Sequence, residues 1–262
     1  LSNPLIVNGL QTSHVLHQSE RDGEIADGRV NEGVLVRIIE STDEDTRDRI
    51  IAGTNRQTNV PGLALHATKK EQRDIERFLL TKGWYYERRK NRYKKNGIPA
   101  SKRISMTLLS QALIAARLGM PDAARARPSS LASTDEGYER VFEGGLTPEG
   151  CLAAMQIVEA VDVFLRSEAN SSSIERTNAR FYLVTGYVVE TLKLSKPGDM
   201  RFDKNMLRLL SAPSKKRIAA VLTQLELSAS AYHESHPDLT RDALFKNSDF
   251  REHFLADLIK NR

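Results

Sequence analysis

KGWYYERRKNRYKKNGIPASKRISMTLLSQALIAARLG, residues 82–119, decides how the rest of the chain is read. Gly83 is a helix-stop signal, and the aromatic run from Trp84 predicts a strand over 84–93. Asn96-Gly97 is a turn signal, and Pro99 restricts the residue before it. Ser105–Leu118 has the pattern of a helix, ended by Gly119 and Pro121. Between Lys82 and Arg103 stand nine Lys or Arg and one acid, Glu87, with Trp84, Tyr85, Tyr86 and Tyr93 interleaved. Cations neutralise phosphates, and aromatic faces stack on bases or form a floor beneath them. The expectation for 84–99 is a hairpin-like ribbon or loop with Arg89, Arg92, Lys94 and Lys95 in solvent against a nucleic-acid backbone. A solubilising surface loop is the alternative.

Working outward, Lys69–Lys82 is an amphipathic helix with Ile75, Phe78 and Leu79 on one stripe. Further upstream, Leu5–Val7 and Val34–Ile39 read as strands, the second interior, with a helix over Gln11–Gln18 and a short charged one over Asp43–Ile51. Downstream, 123–133 reads as a linker and 137–142 as a short packed piece. Helices are then predicted at 148–168, 171–193, 199–211, 213–232 and 249–261. The fold expected is an α/β (α+β) domain with a small mixed sheet over 1–120, a linker or packed arm over 121–145, and a mainly helical domain over 146–262.

The chain of 262 residues carries 39 Lys+Arg against 34 Asp+Glu, a net charge of +5. Residues 1–130 hold 22 basic and 15 acidic groups and residues 131–262 hold 17 and 19, so any phosphate-binding surface is expected in the first half. Cys151 is the only cysteine, which excludes an internal disulfide and a thiolate metal cluster and fits a reducing, cytoplasmic setting. Its helical surroundings read it as a small buried hydrophobe. No apolar run reaches the roughly 18 residues of a membrane span, and no signal-peptide pattern is present.

Three polar clusters are candidates for a site. Asn8-Gly9-Leu10-Gln11-Thr12 lies between a predicted strand and a helix, where Gly9 permits close backbone approach and helix N–H groups suit an anion. In Thr54–Asn59, the amides of Asn55 and Gln57 suit a base edge, and Arg56 a phosphate. In Tyr86-Glu87-Arg88, Glu87 is an ion-pair partner or a metal ligand, the ion pair being favoured because cations surround it. Gln11, Glu87 and Arg88 are the candidates for catalysis. Each cluster also reads as structure: caps at the first, a turn network at the second, and a buried hydrogen-bond network joining all three. His14 and His17 share a helix face without a third ligand, so no metal site is predicted. No cofactor is predicted, and a divalent metal enters only if the protein is a nuclease. No P-loop, dinucleotide fingerprint, HExxH or nucleophile elbow occurs.

The segments IVNGLQTSHVL, VRIIE, AGTNRQTNV, IERFLLTKGWYYERR and ISMTLLSQALIAARLGMPDAARARPS, in this order over about residues 3–145, resemble the AIPR family, named for abortive-infection phage resistance. The resemblance implies that Asn8, Gly9, Gln11 and Thr12, then Thr54, Asn55 and Gln57, then Tyr86, Glu87 and Arg88 are the characteristic positions. It also implies a role in bacterial phage defence and a further segment on the N-terminal side, so that this chain is a fragment. It implies no particular chemistry. A looser similarity of the strand–NGxQT–helix element to DGQHR-type and ParB-like proteins is weakened by Asn8 and Thr12, which stand in for an acid and a base. Three functions follow as expectations: a DNA- or RNA-binding defence protein, a metal-dependent nuclease or nucleotide-dependent enzyme whose three polar clusters converge, and a non-catalytic sensor or interaction module. The last would use its helical half to pair with a second copy or a defence-system partner.

Overall fold

The computed structural model describes residues 10–21, 35–40, 43, 46, 50, 62–126, 131–167, 173–195 and 202–261. The chain divides into two compact units, Leu1–Val60 and Pro61–Arg262.

In the first unit, helix α1 spans Leu10–Arg21, somewhat longer than its periodicity predicts. Asp43 Oδ2 accepts from the backbone N–H of Thr46 (2.9 Å), as an N-cap does, while most of the short charged helix expected over 43–51 lies outside the described residues. The interior strand expected at Val34–Ile39 is not found: residues 35–40 carry no strand, and Leu35, Val36, Ile38 and Ile39 are exposed. A β-prone run becomes a strand only beside a hydrogen-bonding neighbour, and none is present among the described residues. The strand expected at Leu5–Val7 lies outside the described residues.

The second unit is largely helical around one small sheet. Helix α2 (Gly62–Leu65) and a 3-10 turn (His66–Thr68) lead into α3 (Lys70–Thr81). Gly83, at φ 77°, lets Trp84 N–H return to the Leu79 carbonyl, which closes the helix and releases an extended chain. Strand β1 (Tyr85–Glu87) pairs with β2 (Arg103–Ser105) in parallel, with Tyr86 opposite Ile104. The small mixed sheet expected is therefore, among the described residues, two parallel strands, and 84–99 is no hairpin. Parallel neighbours require a crossover, and residues 88–102 provide it as a chain of turns and a 3-10 helix. The predicted strand over 84–93 stops at Glu87: Arg88 N–H turns back onto the Tyr86 carbonyl (3.2 Å), and Asn91 takes φ 65°.

Ser105 ends β2 and caps α4 (Met106–Ala116), its hydroxyl accepting from Leu108 N–H. Eight of the eleven residues of α4 are buried, which makes it the central helix. Around it pack α5 (Pro121–Ala126), α6 (Asp135–Phe142), α7 (Pro148–Ser167) and α8 (Ser173–Leu192). Then come α9 (Phe202–Leu209), α10 (Lys215–Ser235), α11 (Arg241–Leu244) and α12 (Ser248–Lys260). Gly186 of α8 lets α10 and α12 close in; a Cβ there would lie 2.4 Å from Val221 Cγ1. The core runs from Leu63 to Leu258, so the change of sequence pattern near residue 120 is not a break in the packing. The linker expected from residue 123 begins inside α5, whose Pro121 and Ala124 are buried.

Arg117, just beyond α4, ties three elements together. Its Nε donates to both carboxylate oxygens of Asp203 on α9 (3.0 and 2.9 Å). Its Nη1 donates to the carbonyls of Arg140 (2.8 Å) and Val141, and its Nη2 to those of Glu143 (2.7 Å) and Gly144. A cation thus closes the C-terminal end of α6, where unpaired carbonyls and the helix dipole favour it. Cys151 is fully buried and its thiol is pushed well above the usual range by desolvation, as a packed small hydrophobe requires.

Candidate nucleic-acid interface

The face of α3 that meets the sheet is apolar at Ile75 and Leu79 but polar at Gln72 and Glu76. Those two lie one helical turn apart, about 6 Å along the axis. Tyr86 and Arg88 lie two residues apart at and just beyond the end of β1, about 6.6 Å. The spacings match, so the residues pair as rungs. Tyr86 Oη donates to Gln72 Oε1 (2.5 Å), and Arg88 Nε donates to Glu76 Oε2 (2.5 Å). Gln72 Nε2 donates onward to the hydroxyl of Tyr138 on α6 (2.9 Å), and Arg88 Nη1 to the carbonyl of Ala67 (2.7 Å). Arg88 is 5 % exposed and Tyr86 not at all. Burial drives the Tyr86 phenol far above its ordinary pKa, so it stays a donor.

Glu76 also reaches the crossover. Its Oε1 accepts from Arg92 Nη1 (3.1 Å) and from the Tyr93 hydroxyl (2.8 Å). Desolvation and that bond to a carboxylate raise the Tyr93 phenol to about 12. On the outer face of the sheet, Glu87 Oε1 accepts from the backbone N–H groups of Tyr93 (3.1 Å) and Lys94 (3.2 Å), and Oε2 from Arg103 Nη1 (3.4 Å). The Tyr93 ring sits edge-on to Tyr85 at 5.2 Å. Gly97, at φ 75°, closes the turn through bonds from Gly97 N–H to the Lys94 carbonyl and from Ile98 N–H to the Tyr93 carbonyl. Two carboxylates and a glycine turn thus fold the crossover back over the sheet instead of letting it protrude. The cations left outward are Lys90, Lys94, Lys95 and Lys102, all exposed, with Lys82 at the end of α3.

The structure therefore separates the candidates of the basic segment. Lys94 and Lys95 face solvent; Arg92, 44 % exposed along its side chain, is held by Glu76; Arg89 is half-buried. Tyr86 and Arg88 belong to the buried network, and Glu87 is an ion-pair partner and turn anchor. Thr12 is exposed on α1. Asn8, Asn55, Arg56 and Gln57, and the side chain of Gln11, lie outside the described residues. Gln72 and Glu76 were not singled out in the sequence, although two polar residues in register with the Ile75–Leu79 stripe signal a helix face that meets polar partners.

Beside the network, His66 stacks on Tyr138 (centroids 4.2 Å apart) and is 6 % exposed. Lys69 Nζ lies 4.1 Å from the Tyr138 ring centroid and 3.1 Å from Glu143 Oε1. Desolvation, and then the Lys69 charge, lower the His66 pKa below its ordinary 6.5. Among the described residues no three His, Cys, Asp or Glu side chains are grouped to hold a metal ion, and no helix is long and apolar enough to cross a membrane.

No curated protein and no solved structure matches the chain. A family model described as AIPR protein matches residues 1–235, well beyond the 3–145 over which the resemblance is legible by eye and through α10 of the helical region. That match supports, in broad terms, a role in phage defence. By the extent of this match, the chain belongs to the AIPR family.

Proposed function

We propose that this protein acts in phage defence, in the cytoplasm, by holding nucleic acid on the outer surface of the β1–β2 crossover. The observation that carries the reading is the exposure of Lys90, Lys94, Lys95 and Lys102 on one connection held by Glu87 at the backbone N–H groups of Tyr93 and Lys94 and by Glu76 at the Tyr93 hydroxyl. A pinned loop presents its ammonium groups without having to be ordered on binding, which favours contact with a polyanion. Lysines act as point charges toward phosphate and impose no base preference.

Four phosphate contacts give a log–log salt dependence of affinity with a slope of about −3 to −4. Changing Lys90, Lys94 and Lys95 together to Glu is expected to abolish most binding of DNA and RNA oligonucleotides and to flatten that slope by about 3. Fluorescence anisotropy at several salt concentrations measures both. Equal affinity and equal slope in the variant and the parent protein would remove nucleic acid from this surface.

A further inference from the structure

We infer that the nucleic acid held by the crossover is single-stranded, with bases stacking at Trp84 and Tyr85. This rests on the reading of the crossover as a nucleic-acid surface and adds the class of strand it takes. Phosphate contacts alone suit a duplex and a single strand alike, but the bases of a duplex are reached by an α-helix or a two-stranded ribbon entering the major groove. The basic segment offers neither. Its strands are parallel, and their connection is folded back onto the outer face of the sheet by the Tyr85–Tyr93 ring contact and by the bonds from Tyr93 and Lys94 N–H to Glu87.

What the surface offers instead is half-exposed aromatic rings among cations. Trp84 is half-buried against the core, and Tyr85 is half-buried with the Tyr93 ring edge-on to it. The Lys102 ammonium lies 5.4 Å from the Trp84 ring centroid, and Lys82 and Lys94 are exposed one to two residues along the chain from Trp84 and from Tyr93, the ring partner of Tyr85. Rings that take base faces, flanked by ammonium groups that take the linking phosphates, make the arrangement that binds unpaired strands with little sequence preference. Paired bases keep their faces within the duplex and cannot use the rings.

Trp84 is the only tryptophan of the chain, so its intrinsic fluorescence reports on this surface alone. The experiment titrates the whole chain with a short oligothymidylate, an oligouridylate, an abasic strand of equal length, and a duplex. The thymidylate or the uridylate is expected to quench Trp84 and to bind about tenfold more tightly than the abasic strand; comparing the two separates DNA from RNA. Trp84→Leu, followed by the anisotropy of labelled strands, is expected to remove that advantage. Should this variant fail to fold, the quench and the abasic comparison in the unaltered protein still decide. Equal binding of base-bearing and abasic strands without quenching, or tighter binding of the duplex, overturns the single-strand inference and leaves a charge-only surface. Failure of every oligonucleotide to bind overturns the proposed function itself.

Discussion

The crossover over 88–102 and the helices from α4 onward use their cations in opposite ways. Among the helices, arginines face inward onto aspartates: Arg117 onto Asp203, Arg125 onto Asp242, Arg180 onto Asp162 and Arg251 onto Asp122. On the crossover, Arg88 alone is fully turned in, and the outward charge is carried by Lys90, Lys94, Lys95 and Lys102. The guanidinium is weakly hydrated and its fork matches carboxylates and carbonyls, so it tolerates burial; the ammonium is strongly hydrated and keeps to water. The comparison shows why the charge is uneven along the sequence. Toward the C-terminus cations and acids are matched as ties between helices, whereas on the crossover Lys90, Lys94 and Lys95 are exposed.

Three measurements break or sharpen that contrast, taken from the largest expected effect to the smallest. Arg117→Met leaves Asp203 and the last carbonyls of α6 without their donor. It is expected to cost about 3–5 kcal/mol, as the loss of one partner of a buried pair does, read as a lower midpoint in urea denaturation. A loss below about 1 kcal/mol would mean that the arginines of the helical region are not ties.

Glu76→Gln strands Arg88 in the core and loosens Arg92 and Tyr93. A cost of about 3 kcal/mol is expected, together with weaker protection of the 91–97 backbone in hydrogen exchange. The double variant Glu76→Leu/Arg88→Leu should recover much of the lost stability, because no charge is then left buried. Lys94→Glu/Lys95→Glu should shift stability by no more than about 0.5 kcal/mol. If Glu76→Gln were as harmless as the lysine changes, the division between anchoring and outward charge would fail.

The smallest effect concerns pH. His66 has a lowered pKa in the folded protein, so just below 6.5 the unfolded chain binds more protons than the folded one. Its contribution to stability is complete above 6.5 and declines as pH falls toward the folded-state value. His66→Phe, which keeps a ring against Tyr138, is expected to flatten the dependence of the unfolding midpoint on pH in that range. An unchanged pH profile would place the dependence elsewhere.

Helix positions were legible in the sequence because their signals are local. The stripe of Ile75 and Leu79 and the stop at Gly83 bound α3, and the apolar run after Ser105 gives α4. The helices predicted at 148–168, 171–193, 213–232 and 249–261 appear at Pro148–Ser167, Ser173–Leu192, Lys215–Ser235 and Ser248–Lys260. The sheet was not legible in the same way. WYYE announces a strand, but β2 has only three residues, and its parallel partner lies across a polar crossover that mimics a hairpin turn at Asn96-Gly97. The helix α5 was read as a linker because Arg, Pro and Ser follow it so closely; its burial comes from α4 and α8, which lie far from it in sequence or on its other side.

By itself the sequence determined which residues are chemically able to meet a phosphate or a base, the family to which the chain belongs, and the helices of the region after residue 146. Residue type, periodicity and stop signals are carried by each segment alone. Only the tertiary structure decided that Arg88 and Tyr86 turn in while Lys94 and Lys95 turn out. That choice depends on Gln72 and Glu76 lying beneath β1 at the spacing of its alternate residues, and on Glu87 drawing the crossover back over the sheet. The direction of a side chain is set by what packs against its backbone, and that neighbour comes from another part of the chain.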